Sequence, residues 1–459
     1  MKVKKFVAIL MAALMVFAVV GCGEKKTTGK VDFKVGLWPD ETKKDEVAVM
    51  NGYREEFMAQ NPDVNIIPDT YAYDPQTFTA KAAAKQLPNL YVTYFTEIAQ
   101  NINNGYCADL TEMFKKYGFD KQMNPTLLEV CKKDGKIYAI PQTAYAQGLY
   151  INKKLFKDAG LVNADGSIKI PNTYQDILDY GKIINEKTGK AGFVIPTINN
   201  CGGWHFLNIA WAYGTEFEKQ KSDGKWEATF DTQATKDALQ WVKDLKWKYN
   251  AAVKETSLDQ AEIYKQFALG NAAMMFSNPP CNNLVTQYGM NKDDIMVTAM
   301  PEGPAGRFSQ MGGGVYMFSP DCTKEQLDAG FRWLKFRGYN PELSEEQKQK
   351  SIDNFELQKN NGYIILDEDP FALWISGEGV DFTNKLRKEY MNVSHDDYAG
   401  YYDFSKVTIN PEPSACAQQL YSVLDKCIQE VMTNENADVD ALIRDANVSF
   451  QKNYLDKMD

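Results

Sequence analysis

The chain has 459 residues, which is more than a single hydrophobic core usually supports, so its length predicts two domains. Apolar residues make up 44% of the sequence and charged residues 24%, a composition that excludes a globally disordered protein. The formal net charge is −10 and the sequence shows no basic cluster, which argues against a nucleic-acid partner.

The first residues have the pattern of an export signal. Three lysines among the first five residues precede the apolar run 6–20, which is short for a bilayer span. Residues 19–22, Val-Val-Gly-Cys, resemble the lipobox of bacterial lipoproteins, in which the cysteine carries the lipid. The sequence therefore predicts a signal peptide over residues 1–21, a lipid on Cys22 and a tether over residues 22–30. This would place the protein on the extracytoplasmic face of the bacterial cell membrane.

Seven further cysteines are scattered without a CxxC pair, and an odd number cannot all pair within one chain. They are Cys107, Cys131, Cys201, Cys281, Cys322, Cys416 and Cys427. Cys416 and Cys427 fall on one predicted helix, about 16 Å apart, which is too far for a disulfide. We expect mostly free, buried thiols.

The hydrophobic pattern alternates between strands and helices along the chain. Residues 31–37 and 64–67 have the pattern of strands, and residues 41–60 between them that of a helix. A capping box at Thr173 starts a later helix, and residues 415–455 are helical with a break near 434–438. This alternation predicts an α/β fold with a largely parallel sheet. No long linker is present, so strands are expected to cross between the two domains.

Catalytic motifs are absent from the sequence. The two histidines, His205 and His395, have no second histidine at zinc-ligand spacing, and no nucleophile elbow or nucleotide-binding loop occurs. Residues 312–314 are three glycines, but a predicted strand follows them in place of the helix that would face a phosphate. The sequence predicts neither a metal nor a cofactor.

Paired carboxylates leave one enzymatic alternative open. Glu378 with Asp381, or the acidic run 367–369, could supply the two carboxyl groups of a glycosidase. Such pairs are also expected by chance among 61 acidic residues, where they form a solvated face. A lipid-anchored glycan-processing enzyme therefore remains the alternative to a binding protein.

Aromatic residues at the ends of predicted strands favour ligand binding. Trp38 and Tyr94 each follow a strand, where ligands bind in open α/β sheets. Trp204, Tyr145 and Asn278 lie in comparable positions. An aromatic face suits the C–H face of a sugar, with amide and carboxylate groups around it for the hydroxyls. Each of these residues could instead belong to a core or to its rim.

Residues 134–161, DGKIYAIPQTAYAQGLYINKKLFKDAGL, resemble the signature of family 1 extracellular solute-binding proteins. These are the receptor subunits of ABC importers for sugars and oligosaccharides. Further matches follow in the family's order: PNTYQDIL from Pro171, FALGNAAMMF from Phe267, MPEGPAG from Met300 and GGGVYMFSP from Gly312. The resemblance covers essentially the whole chain after the export signal.

The resemblance implies a periplasmic-binding-protein-like fold of type II, with two α/β lobes, crossing hinge strands and a central ligand cleft. Crossings are expected near 141–147, 267–278 and 312–318. The expected lobes are 31–141 with 274–312, and 142–273 with 313–459. Residues 340–410 are acidic and aromatic beyond the family's usual minimum and are expected to cap the second lobe.

The implied function is a non-catalytic, monomeric receptor that delivers a carbohydrate to the transmembrane permease subunits of an ABC importer. Trp38, Tyr94 and Asn278 would contact the ligand from the first lobe, Trp204 from the second and Tyr145 from the hinge. Many family members carry a glycine-tryptophan pair after the AAM strand, whereas this chain has Ser-Asn-Pro-Pro-Cys over 277–281. A receptor that feeds a sensor kinase is a further alternative.

Overall fold

The structure is a computed structural model that describes residues 29–74 and 77–458. The predicted signal peptide, Cys22 and all of the tether except residues 29 and 30 lie outside the described residues. Across the described ranges, no helix combines the length and the apolar composition that crossing a membrane requires. All seven cysteines after Cys22 are free, as expected, and four of them are buried.

The first lobe forms from alternating strands and helices in the N-terminal third of the chain. Its elements are β1 (Val31–Val35), α1 (Lys44–Gln60), β2 (Val64–Pro68), α2 (Phe78–Ala83), β3 (Leu90–Tyr94), α3 (Ile98–Asn103), α4 (Thr111–Tyr117), α5 (Phe119–Gln122), α6 (Pro125–Glu129), β4 (Lys132–Lys133), β5 (Lys136–Ile137) and β6 (Ile140–Ala146). As the alternation predicts, β1 pairs in parallel with β2 and with β3. Phe33 of β1 and Phe57 of α1 are fully buried in this lobe's core.

The second lobe follows directly after β6. Its elements are β7 (Gly148–Asn152), α7 (Lys153–Asp158), α8 (Tyr174–Thr188), β8 (Ala191–Phe193), α9 (Cys201–Tyr213), β9 (Glu218–Gln220), β10 (Trp226–Ala228), α10 (Gln233–Trp247), α11 (Gln260–Ala268), β11 (Ala272–Ser277), α12 (Asn283–Thr286), β12 (Ile295–Thr298) and β13 (Glu302–Gly303). A four-stranded sheet in the order β12-β7-β11-β8 forms its centre. The capping box at Thr173 is present: its side chain accepts from the backbone N–H of Asp176, whose carboxylate accepts from the Thr173 N–H.

The strand pairing divides the chain differently from the expected boundaries. Residues 267–278 were expected to cross between the lobes and residues 274–312 to belong to the first lobe. Instead, β11 pairs with β7 and β8 inside the second lobe, because its AAMMFS run is buried on both faces of that sheet. The return to the first lobe occurs later, on β14 (Gly306–Phe318), so residues 313–318 belong to the first sheet.

Two antiparallel strands, β6 and β14, form the hinge; they overlap the expected crossings 141–147 and 312–318, but residues 314–318 pair with β3 inside the first sheet. Buried polar side chains fix the point at which they enter the second lobe. Asn208 of α9 donates to Gln147 Oε1 at 2.9 Å, and its Oδ1 accepts from the Gln310 N–H at 2.8 Å. Ser309 Oγ accepts from the Gln147 N–H at 2.9 Å. The two bonds of Asn208 join α9 to β14 and to the residue after β6, and the bond between Gln147 and Ser309 joins these two segments to each other.

The remainder of the chain completes both lobes. Its elements are α13 (Lys324–Phe336), α14 (Glu345–Asn360), α15 (Glu378–Tyr390), α16 (Ala399–Tyr402), β15 (Thr408–Pro411), α17 (Ala417–Thr433) and α18 (Val439–Asn453). Helix α13 packs in the first core, whereas α17 and α18 pack in the second. Within 340–410, α14 and α15 pack against each other around Phe355 and Leu386, and Tyr398 and Tyr401 join a core of the second lobe. The break between α17 and α18 falls where the sequence predicts it.

Candidate functional site

The ends of two strands create a gap in the first sheet beside β14. Strand β3 pairs with β14 up to the contact of Tyr94 with Gly314, and β15 pairs with it up to the contact of Pro411 with Met311. On this edge of β14, no described strand lies opposite Gly312 and Gly313. The carboxyl ends of β3 and β15 therefore meet at the gap, which is where open α/β sheets bind ligands.

A cavity of about 280 Å³ lies over this gap. It is bounded by residues of both lobes and of the crossing segments: Tyr94, Tyr145, Asn199, Asn200, Cys201, Trp204, Gly313, Glu412, Gln418 and Tyr421. The rings of Tyr145 and Trp204 meet edge to face, with centroids 6.5 Å apart. Tyr94 is 45% exposed, so part of one large aromatic side chain remains available to a ligand.

The three consecutive glycines of β14 shape the floor of the cavity. A Cβ atom on Gly312 would lie 2.6 Å from the ring of Tyr145, its cross-strand partner. Gly313 has a φ of +146°, and a Cβ there would lie 2.0 Å from the carbonyl oxygen of Thr143. The absence of a side chain at Gly312 thus lets the Tyr145 ring lie over β14. The sequence predicts a strand after the three glycines, and in the structure that strand includes them, so they form no phosphate loop.

Glu412 is the one charged residue among the described residues that line the cavity. Its Oε1 accepts from Trp204 Nε1 at 2.6 Å and from the Tyr421 hydroxyl at 2.9 Å. Burial raises the pKa of the Glu412 carboxyl to about 7, although both hydrogen bonds act in the opposite direction. These two donors hold the carboxyl group in place and orient the Trp204 ring.

Two further carboxyl groups, Glu97 and Glu218, lie close enough to Tyr421 for their charges to raise its pKa, as the charge of Glu412 does. Burial raises the pKa of Glu97, which follows β3, and the charge of Glu97 in turn raises the pKa of Glu412. Burial also raises the pKa of Glu218 to about 7, and its Oε1 accepts from the Ala415 N–H at 2.7 Å. Within the described part of the chain, no lysine or arginine contributes to these three pKa values. The surroundings of the cavity are acidic.

The N-terminus of α9 points toward the cavity but already holds a carboxylate. Asp425 of α17 accepts from the N–H groups of Asn200 and Gly203, each at 2.7 Å. Burial nevertheless raises the pKa of Asp425. A helix N-terminus attracts anions through its unpaired N–H groups. Here the protein's own side chain fills that position, so it is not available to an anionic ligand.

A larger cavity of about 460 Å³, which Tyr145 also lines, lies between β6, the loop after β11 and helices α14 and α15. It includes the ion pair of Arg387 with Asp369, whose N···O distance is 2.7 Å. Nearby, ligand atoms of Asp367, Glu368 and His395 lie within 4.8 Å of one another. Asp367 already binds His395 Nδ1 and the Tyr402 hydroxyl, at 2.7 and 2.9 Å. We therefore place the functional site at the smaller cavity, at the strand ends.

Comparison with known proteins supplies the family. Residues 52–349, well over half of the chain, match the family model of the bacterial extracellular solute-binding proteins. The chain belongs to this family. It is 24% identical to a putative binding protein of Brucella abortus over 428 residues, which cover 86% of this chain and 96% of that protein. An arabinooligosaccharide-binding protein of Halalkalibacterium halodurans is 25% identical over 238 residues, 49% of this chain and 48% of the relative.

Solved structures share the fold of this solute-binding protein. The cyclic alpha-maltosyl-1,6-maltose binding protein of Arthrobacter globiformis matches with a TM-score of 0.62 at 19% identity. The match covers 92% of this chain and 99% of that one. This confirms the predicted two-lobed fold with hinge strands.

Three of the predicted ligand residues of this solute-binding protein meet at the cavity, namely Tyr94, Tyr145 and Trp204. The structure does not bring Trp38 or Asn278 to it. Trp38 is only 5% exposed and stacks on Trp333 with centroids 6.3 Å apart, because its side chain turns into the core of the first lobe. Asn278 follows β11 in the second lobe, next to Pro279.

Sequence reasoning missed Glu412 and Tyr421. No motif marks either residue, and the only local sign at Glu412 is the proline on each side of it. Tyr421 is 1% exposed and lies on the apolar face of α17, where it has the pattern of an ordinary core residue. Their roles depend on contacts with α9, which lies about 200 residues earlier in the chain.

Proposed function

We propose that this solute-binding protein is the lipid-anchored receptor of an ABC importer and that it binds a carbohydrate in the cavity of Tyr94, Tyr145 and Trp204. One observation carries the proposal: aromatic rings from both lobes and the hinge converge with a carboxyl group beyond the carboxyl ends of β3 and β15. Rings can stack on the C–H face of a sugar, while Glu412, Asn200 and Gln418 can bind its hydroxyls.

The relatives support the carbohydrate class. One curated relative is an arabinooligosaccharide-binding protein, and a protein of the same fold binds a cyclic maltose dimer. The charges of the cavity disfavour a phosphorylated ligand. Asp425 occupies the N-terminus of α9, and the described residues that line the cavity include no lysine or arginine. A phosphate would therefore meet carboxylates without a compensating cation.

Ligand binding closes the two lobes in this proposal. Tyr94 belongs to the first lobe and Trp204 to the second, so a ligand touches both rings only when the lobes are together. Closure is then a population shift, because the ligand stabilises the form in which it makes the larger number of contacts. Closure would present both lobes together to the permease subunits, with the protein acting as a monomer.

The glycan-processing alternative has less support. Glu378 and Asp381 lie in the first turn of α15, are exposed to solvent and do not line the cavity. We therefore propose binding without turnover. A receptor that feeds a sensor kinase would use the same cavity, and co-purification with permease subunits from detergent-solubilised membranes distinguishes import from sensing.

Calorimetric titration with a panel of mono- and oligosaccharides tests the ligand class. We expect at least one oligosaccharide to bind, Trp204→Ala to weaken that binding at least tenfold, and the matched variant Asn278→Ala to leave it within twofold. Binding to none of the sugars, together with binding to a peptide, would overturn the proposal.

Membrane attachment through Cys22 has its own test. When the full chain is expressed in a bacterium with lipoprotein processing, Cys22→Ser is expected to move the protein from the membrane fraction to the medium or periplasm. An unchanged membrane fraction would show that the lipid on Cys22 is not the anchor.

A further inference from the structure

Among the described residues, no lysine or arginine pairs with the buried carboxyl groups at and around the cavity. Glu412 lines it, Glu97 faces Glu412 from the turn after β3, and Glu218 lies beside the start of α17. Each of these carboxyl groups is held by neutral donors only: N–H groups of the backbone, the Trp204 indole, or hydroxyl groups. Buried carboxylates are usually paired with a cation.

The geometry of Glu412 leaves one oxygen for a ligand. Trp204 Nε1 and the Tyr421 hydroxyl both donate to Oε1, and neither donates to Oε2. Two donors on one oxygen fix the orientation of the carboxyl group and keep it rigid on the cavity wall. A ligand that approaches Oε2 meets a carboxylate already in position.

The aromatic rings of the cavity can also attract a positively charged group of a ligand. Tyr94, Tyr145, Trp204 and Tyr421 line it together. The face of an aromatic ring attracts a cation through its quadrupole, more strongly when water is excluded. Tyr421 is buried, so the rings with surface available to a ligand are those of Tyr94, Tyr145 and Trp204, and they suit an ammonium group as well as a sugar ring.

We propose that the ligand is an amino sugar, whose protonated amine binds Glu412 Oε2 while its ring stacks against Trp204 and Tyr145. This inference rests on the proposed carbohydrate function and narrows it to sugars with a free amine. The amine supplies the positive charge that the cavity lacks, and the neutral parts of the sugar use the same rings as any other carbohydrate.

The pH dependence of binding follows from the groups around Glu412. Trp204 and Tyr421 donate to it, Tyr145 lies close enough to feel its charge, and Glu97 is the charged group that faces it. The cation binds the ionised carboxylate, so affinity for an amino sugar is expected to fall as the pH drops from 7 to 5.5. Binding of a neutral sugar does not require the charge of Glu412, so its affinity should fall less over the same pH range.

Three disaccharides with the same β-1,4-linked backbone separate charge from shape. Chitobiose carries free amines, N,N′-diacetylchitobiose carries acetylated ones, and cellobiose carries hydroxyls. By calorimetry at pH 7, we expect chitobiose to bind at least tenfold more tightly than either neutral sugar. Glu412→Gln should reduce that preference below threefold, and the exposed control Glu435→Gln should leave it unchanged.

A second measurement needs no variant. Raising the salt concentration from 50 to 500 mM should weaken chitobiose binding in the wild-type protein more than binding of the neutral sugars, because salt screens charge pairs. Equal or tighter binding of a neutral sugar overturns the amino-sugar proposal and leaves the carbohydrate function intact. Binding of no sugar at all overturns both.

Discussion

Trp38 in the first lobe and Trp204 in the second both lie where a ring could meet a ligand, but their surroundings differ. Trp38 follows β1 and is 5% exposed, stacked on Trp333 of α13. Trp204 lies in the first turn of α9, lines the cavity and donates to Glu412 at 2.6 Å. A hydrogen-bonded indole N–H orients the second ring toward the cavity, whereas helix α13 covers the first.

The difference shows what makes an aromatic residue available for binding. Trp38 follows a strand and Trp204 lies at the start of a helix, and the sequence around each predicts a ring that could meet a ligand. The deciding partner is distant in each case: Trp333 lies almost 300 residues from Trp38, and Glu412 is 208 residues from Trp204. Substitutions at Trp38, Trp204, Gly312 and Glu218 test this contrast between a core ring and a ligand ring.

The largest expected effect is the loss of stability in Trp38→Ala. Truncating a buried tryptophan leaves a cavity and is expected to lower the free energy of unfolding by about 3 to 5 kcal/mol. Urea unfolding at 25 °C measures this. Ligand affinity of the folded protein should stay within threefold, and a large loss of affinity at an unchanged unfolding free energy would make Trp38 a ligand residue after all.

Trp204→Ala should lower ligand affinity strongly and stability only slightly, the reverse of Trp38→Ala. Removing a central aromatic anchor is expected to cost about 2 kcal/mol of binding free energy, roughly a 30-fold loss of affinity. The free energy of unfolding should change less than in Trp38→Ala, because Trp204 is only partly buried. Calorimetry with the tightest-binding sugar, on both variants, gives the comparison. Equal affinities of Trp204→Ala and wild type would contradict the account.

Gly312→Ala tests how the cavity floor is built. The new methyl group would lie 2.6 Å from the Tyr145 ring, so that ring must move. Overpacking of this kind is expected to lower the unfolding free energy by about 1 to 3 kcal/mol, and ligand affinity should fall along with it. Gly52→Ala is the matched control, since nothing lies within 4 Å of its Cβ position in α1. The free energy of unfolding of Gly52→Ala should rise by about 0.5 to 1 kcal/mol, because alanine is favoured over glycine inside a helix.

Glu218 gives the smallest effect and a pH signature. Its Oε2 is buried without a hydrogen-bond partner among the described residues, and burial raises its pKa from 4.5 to about 7. The folded state then binds the proton more tightly than the unfolded state, so stability falls as the pH rises from 4.5 to 7. Glu218→Gln removes this charge.

The expected result for Glu218→Gln is a gain of about 1 kcal/mol in the free energy of unfolding at pH 8, with little change at pH 4.5. Urea unfolding at the two pH values measures it. If the difference in unfolding free energy between Glu218→Gln and wild type were the same at both pH values, the charge of Glu218 would not destabilise the folded protein.

Local patterns predicted most of the fold. The parallel strands of the first lobe, the capping box at Thr173 and the break between α17 and α18 all follow from residues close together in the chain. The lobe boundaries did not follow from such patterns. The AAMMFS run of β11 is buried on both faces, and a central strand of either sheet would have this composition, so sequence could not tell which sheet β11 joins.

The candidate site was predictable in part. Tyr94 and Tyr145 lie at strand ends or on the hinge, where the sequence places a ligand, and both line the cavity. Glu412 could not be found this way, because its function depends on a hydrogen bond to Trp204 across 208 residues. Trp38 was predicted to contact the ligand, but its side chain is buried against Trp333 of α13, almost 300 residues later in the chain.

A crystal structure with the tightest-binding sugar of the panel locates the ligand. We expect density for the sugar between Tyr94, Tyr145 and Trp204, with a polar group of the ligand within hydrogen-bond distance of Glu412 Oε2. Density in the larger cavity beside α14 and α15, with the smaller cavity empty, would contradict it.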